Sequence, residues 1–463
     1  PRGRMSAGGG GGAPPGGGGG GCAPVWIPPL AMAEGQRGSL ARPLLGGPKK
    51  DDGPPRHGTP WSSTVNLAAT AMGTGVLTLP YAFARCGPMR CLIVLAVLAT
   101  TTDMTLTLLV RTGRATNSYS FGAIMSRLFG NVGSLVFQVL MISVLFLALT
   151  AMQRVVLDLL PMLLEEVLSL GSGSLKPVTV GLGINVGVFL ACFSKSVHGL
   201  RFTSGAALAC LAPFVLALLW RACAAALDAE AEAPVPLSES VSPDGLLLAA
   251  PLLASALCCH FSILDIDREM DPRHKDAIYG VIHTCALGVL PATYVIVSMA
   301  GVSLFGGATP DNILTEFHAD KAMSLARGVL SLTNALRMPL IVLPLHSLLC
   351  DVPRNLAALL GGGTPLARAC SRGAKAFEEN GWMGILVLLV ASVNLAFRMK
   401  ALTRVMGLLG GTGGVLGCFC LPGLMYLALP RAGLPTSRGL SAVAVASLVI
   451  GALVATAGAL TWS

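Results

Sequence analysis

Apolar residues run in long blocks from Ser62 onward, separated by short polar turns. A helix needs about 20 residues to cross roughly 30 Å of hydrocarbon, and the blocks have that length. The pattern predicts eleven spans: 62–85, 88–110, 132–157, 178–194, 202–223, 245–265, 279–304, 325–350, 382–398, 403–429 and 439–460. An all-α polytopic membrane protein is therefore expected, with residues 59–463 as one transmembrane domain. Residues 1–58 differ in kind. They hold two glycine runs, the pair Pro14-Pro15 and the polar stretch "GGPKKDDGPPRHG", which predict a disordered tail. No short apolar segment with a cleavage site precedes the first span, so no cleaved signal peptide is expected. The chain starts at Pro1, and Met5 is a candidate start.

Composition agrees with the pattern. Of 463 residues, 53% are hydrophobic and only 12% charged, about half the charged share of a soluble domain. The net charge of +9 comes from Lys and Arg scattered singly between apolar blocks. That argues against a nucleic-acid partner and leaves topology as the reason for the excess. With the N-terminus in the cytoplasm, the cytoplasmic turns hold the larger share, among them Arg111, Arg114, Arg127, Arg268, Arg273 and Lys275. The acidic segment "DAEAEAPVPLSESVSPD" then falls outside. Thirteen cysteines contain no CxxC pair and sit mostly in apolar runs, so neither a disulfide framework nor a zinc site is expected. There is no HExxH and no Ser-His set at catalytic spacing, so no enzyme and no cofactor are expected.

The first span, "NLAATAMGTGVLTLPYAF", carries Gly73-Thr74-Gly75 at mid-depth. Backbone groups freed by a break cost several kcal/mol in lipid, so a break survives only where it lines an enclosed or watery cavity. The glycines predict two half-helices, with Pro80 near the start of the second. The amides of that start, at the positive dipole end, suit a carboxylate. The alternative is that the glycines only let helices pack closely.

The order Asn66-Leu67, Gly73-Thr74-Gly75-Val76-Leu77, Leu79-Pro80-Tyr81-Ala82 and Gly87 resembles the first-helix motif of the amino acid/auxin permease family. It is nearest the sodium-coupled neutral amino acid and vacuolar transporter branches. "CCHFSILDIDREM" resembles the family's sixth helix through Cys259-His260 and Glu269. Arg327, Pro339 and Pro344 keep the spacing of the eighth, and "GLLGGTGGVLGCFCLPGLMY" resembles the tenth through Gly407, Gly410, Thr412, Pro422 and Tyr426. The resemblance covers about residues 60–460. It implies two inverted repeats of five spans plus an eleventh helix, with an amino acid held at mid-membrane between the discontinuous first and sixth helices. The middle of the sixth span holds no Gly or Pro, only Pro251 about two turns earlier, so that break is expected from the resemblance alone.

The implied substrate-binding set is Thr70, Gly73, Thr74 and Gly75 with Cys259 and His260. Ion-coupling candidates are Asn66, Ser331, Thr333 and Asp103. His260 deep in a span is a functional candidate by default, against the alternative of a hydrogen-bonded structural histidine. Asp103 is either a proton carrier or a structural partner of a basic residue. Asp265 and Asp267 are expected as solvated charges in the cytoplasmic vestibule. Ala69 stands where sodium-using relatives carry a second asparagine, and His346 stands where they carry an arginine. The coupling ion, H+ or Na+, stays open, with a lean to the proton. The expected function is secondary transport of neutral amino acids by alternating access across a plasma or vacuolar/lysosomal membrane, with the lipid bilayer and the amino acid as partners. A non-transporting amino acid sensor of the same fold is the alternative.

Overall fold

The computed structural model describes residues 58–171, 173–193, 203–228, 234–317, 320–360 and 364–462. The expected disordered tail, apart from Gly58, lies outside the described residues. Among the described residues, eight helices are long and apolar enough to cross a membrane. The number is nine when Pro60–Ala71 and Thr74–Cys86, bent by 52° at their junction, count as one span. The expected spans 178–194 and 202–223 fall on the apolar helices Pro177–Cys192 and Thr203–Leu227. Against the expected eleven, nine spans meet the length and hydropathy of a crossing among the described residues, and these two helices are apolar but shorter or less apolar than that.

Two helices exceed their expected spans by the widest margin. Phe121–Val167 has 47 residues, about 70 Å at 1.5 Å per residue. Gly130, at φ 64°, breaks it, so the stretch before Gly130 is a separate helix leading into the span. Lys321–Leu359 has 39 residues and contains Pro339, Pro344 and Pro353. Pro365–Glu379 forms a helix in what the pattern left as a polar turn.

Among the described residues the apolar interior forms one large cluster, which also takes in Phe137 and Val155 of the third span and Met323 of the eighth, and three smaller ones. Leu67, Val76 and Leu77 of the first span share one cluster with Leu106 of the second, Leu253 and Leu264 of the sixth, Ile282 and Val297 of the seventh and Val405 of the tenth. The third and eighth spans pack along each other through Leu149, Met152, Val156, Met338 and Val342, joined by Val188 and Leu388 of the fourth and ninth. A ring of exposed apolar side chains, including Val136, Leu216, Trp220, Val387 and Val449, faces outward. Lipid is the solvent that such a ring fits.

Loops that the alternation of spans assigns to one side also meet there. Gly58 N donates to Glu269 O at 3.3 Å, and Asp271 N donates to Gly58 O at 3.2 Å. At the opposite end Ser242 N donates to Arg85 O at 3.2 Å, and Gly307 N donates to Val235 O at 2.8 Å. Asp311 there caps the tenth span, accepting from Leu402 N at 2.9 Å.

Candidate functional site

The first span stops at Ala71, turns through Met72 and Gly73, and resumes as a 3-10 turn, Thr74–Thr78, followed by the α-helix Leu79–Cys86. Pro80 lies in the first turn of that α-helix, where a missing N–H costs least. Met72 N donates to Ala68 O and Gly73 N to Ala71 O, both at 2.8 Å. Gly73's own amide is thus engaged. The donors left at the start of the second half are those of Thr74 and Gly75.

The two glycines do different things. A Cβ built on half-buried Gly73 meets nothing within 4 Å, so this position opens onto space. A Cβ on Gly75 would lie 3.2 Å from both Ala256 Cα and Met406 Cε, so Gly75 serves the close approach of the first, sixth and tenth spans. Thr74 Oγ1 also reaches Met406 Sδ at 3.5 Å. Thr70 Oγ1 donates to Asn66 O at 2.9 Å within its own helix.

The sixth span is broken too. Helix Gly245–Ala256 and helix His260–Glu269 are separated by Leu257, Cys258 and Cys259, without glycine or proline in the gap. The Ala256 carbonyl, freed by the break, accepts from the buried Tyr294 hydroxyl of the seventh span at 2.5 Å. Gly410 of the tenth span lies so close that a Cβ there would be 1.8 Å from Pro251 O. Tyr294 and Met406 gave no signal in sequence; the tenth-helix motif did mark Gly410, without its role.

Cys259 and His260 are both buried at the start of the second half. His260 Nε2 lies 2.8 Å from Thr105 Oγ1 of the second span. That hydroxyl donates its one hydrogen to Thr101 O at 2.8 Å, with Thr102 O at 3.1 Å. With that hydrogen on Thr101 O, the tautomer that fits has Nε2–H donating to Thr105 and Nδ1 as an acceptor. Nδ1 has no hydrogen-bond partner among the described residues, although the side chain is fully buried. The Phe419 ring of the tenth span stands edge-on at 6.1 Å between centroids.

Asp103, 3% exposed, is paired with His283 Nδ1 of the seventh span at 2.5 Å. Asp267 departs from expectation. It is buried rather than solvated, accepting from Arg114 at 2.9 Å with Lys275 Nζ at 3.8 Å. Arg114 also donates to Lys275 O at 2.6 Å, which ties the ends of the second and sixth spans together. Asp265 is half-buried. Asn66 is exposed, whereas Ser331 is buried with its hydroxyl unpartnered. Thr333 Oγ1 donates back to Val329 O at 2.9 Å. No hydrogen bond among the described residues joins Asn66 to Ser331 or Thr333. No cluster of three or more His, Cys, Asp or Glu side chains converges among them either. A groove of about 680 Å³ on the third and ninth spans, lined by Phe146, Val387, Asn394 and Arg398, contains none of the candidate site residues.

Residues 56–461 match the family described as transmembrane amino acid transporter protein. The chain belongs to this family. It is 26% identical over 304 residues to amino acid transporter AVT6A of Arabidopsis thaliana, covering 62% of this chain and 65% of that one. It thus spans just under two thirds of that relative. Amino acid transporter AVT6E of the same plant is 24% identical over 409 residues, covering 84% and 79%. Sodium-coupled neutral amino acid symporter 2 of Danio rerio is 21% identical over 408 residues, covering 80% and 75%. Among solved structures, the nucleobase-cation-symport-1 family transporter MHP1, closed on bromovinylhydantoin, superposes with a TM-score of 0.51 at 14% identity, covering 89% of this chain and 94% of that one. A mutant of the Eremococcus coleocola manganese transporter gives 0.51 at 9% identity, covering 91% and 90%. The fold of this family member is thus that of helical membrane transporters.

Proposed function

We propose that this family member is a secondary transporter of amino acids, neutral L-amino acids foremost, working by alternating access. The observation that carries the reading is the pairing of two helix breaks. Gly73 opens onto space beside the amides of Thr74 and Gly75, and Gly75 touches Ala256 next to the break in the sixth span. A substrate carboxylate would accept from those two amides. Hydrogen bonds to a charged group are worth about 1.5–3 kcal/mol each, and the dipole of the second half-helix adds to them. Thr70 and Thr74 on the first span, and Cys259 and His260 at the start of the second half of the sixth, complete the proposed substrate-binding set. The larger apolar cluster joins the first, second, sixth and seventh spans to parts of the third, fifth, eighth and tenth, while the third, fourth, eighth and ninth spans also share a smaller cluster of their own.

The coupling ion we propose is the proton. Ala69 removes a side-chain oxygen from the first span, Asn66 is exposed, and Thr333 is engaged with its own helix. His260 meanwhile keeps a bare, buried Nδ1, and Asp103 is paired with His283. The N-terminus is assigned to the cytoplasm from the distribution of Lys and Arg. The test is uptake of radiolabelled amino acids into proteoliposomes under imposed proton and sodium gradients. Flux driven by the proton gradient is expected; no flux of any amino acid under either gradient would sink the transport reading.

A further inference from the structure

Two thiols meet where the sixth and tenth spans touch. Cys258, in the break of the sixth span, has its sulfur 3.0 Å from that of Cys418 in the tenth, about 1 Å beyond a disulfide bond length. Cys258 is half-buried and Cys418 buried. The contact is one of three. A Cβ on Gly417 would stand 2.7 Å from the Phe261 ring, and Phe419 packs edge-on to His260. Residues 416–420 form a π-turn, which places Gly417, Cys418 and Phe419 together against the break. Cys86 and Cys91 form a second thiol pair, joined by a side-chain hydrogen bond, but both are fully buried at the turn between the first and second spans. A bond there would join neighbours that already move together.

We propose that Cys258 and Cys418 are a reversible oxidation site whose disulfide staples the sixth span to the tenth and locks the transporter. The locking part rests on the transport reading above. A peroxide is the oxidant. The half-buried Cys258 thiol attacks it and becomes a sulfenic acid with release of water. The Cys418 sulfur then attacks that sulfenic sulfur and a second water leaves, so two thiols and one peroxide become one disulfide and two waters. Because Cys258 sits in the break itself, the bond would hold Leu257 to Cys259 against the tenth span whichever way the bundle rocks.

The experiment uses the purified full chain in liposomes, treated with hydrogen peroxide, blocked with an alkylating agent and digested without reductant. The expected product is a peptide pair joined through Cys258 and Cys418, two hydrogens lighter than the free peptides and resolved by dithiothreitol. Uptake should fall at least tenfold on oxidation and return on reduction, and Cys418→Ala and Cys258→Ser should each keep their uptake under peroxide. Amide hydrogen exchange at residues 256–262 should slow on oxidation, which reads the staple even in a preparation that carries no flux. Absence of the joined peptides while Cys258 is alkylated overturns the site. A joined pair with unchanged exchange overturns the lock. Failure of flux before any oxidation counts against the transport reading alone.

Discussion

Replacing Gly410 by alanine tests the close approach on which the site's geometry depends. The added Cβ would stand 1.8 Å from Pro251 O, 2.8 Å from its carbonyl carbon and 3.0 Å from Ser255 Cβ. The two nearest atoms are backbone, so no side-chain rotation relieves them. A carbon–oxygen contact settles near ~3.3 Å, which obliges the sixth and tenth spans to part by about 1.5 Å. Overpacking costs about 1–3 kcal/mol, and a gap of about 0.5–1 Å removes a quarter to a half of the dispersion energy of each pair across it. Gly410→Ala should therefore sit at or above the upper end, near ~3 kcal/mol. The assay is thermal loss of the monodisperse protein in detergent, read beside proteoliposome uptake. Gly73→Ala is the matched control, because its Cβ meets nothing within 4 Å. It should melt as the wild type does, yet lose affinity about tenfold, roughly 1.4 kcal/mol, because its methyl would occupy the proposed carboxylate seat. A Gly410→Ala protein that melts like the wild type would refute the packing argument. A Gly73→Ala protein with unchanged uptake would remove the seat.

Other outcomes follow from single contacts. Thr105→Val removes the acceptor of the buried His260 Nε2–H; about 1–3 kcal/mol of stability should be lost, and Thr105→Ser should restore both stability and the pH profile of uptake. Arg114→Gln leaves Asp267 buried with only Lys275 near it. Its melting temperature should fall by more than that of Asp267→Asn, since an uncompensated buried charge costs more than a lost pair. Asp103→Asn should abolish proton-driven uptake while leaving amino acid exchange in the absence of a gradient; proton-driven uptake at the wild-type rate would exclude Asp103 from coupling.

The long apolar runs made most of the spans legible, because hydrocarbon thickness imposes a length that a sequence must meet. Their ends were less legible. The helix Phe121–Val167 overran the span expected at 132–157 because hydrocarbon thickness sets the least length of a span, not where its helix must end. Helix Pro365–Glu379 was missed because an amphipathic helix carries too little apolar sequence to register as a span. At the site, Gly73 and Gly75 announced a break, yet sequence could not show that one faces space and the other protein. Asp267 read as solvated because its cation, Arg114, is 153 positions away. Asp103 was marked as a candidate, but its partner His283 lies 180 positions on, beyond any spacing rule.

The two breaks differ in what holds them open. In the first span the glycines lower the cost of leaving the helix, so the break is written locally. Leu257, Cys258 and Cys259 contain no such residue, and continuing the helix would give Ala256 O its ordinary partner, the amide of His260. What competes is the Tyr294 hydroxyl, which is directed at that carbonyl from a fully buried ring. Tyr294→Phe keeps the ring and removes the hydroxyl, leaving a buried carbonyl short of a donor at about 1–3 kcal/mol. The helix can recover that loss by closing across residues 257–259, which should slow amide exchange there and reduce uptake together. Exchange and uptake at wild-type levels would mean that packing against the tenth span, through Gly410 and Gly417, holds the break without the tyrosine. Either result identifies the sixth break as a property of its neighbours, whereas the first is a property of its own sequence. The break that a neighbour maintains is the one that a change at that neighbour, such as oxidation of Cys418, can reach.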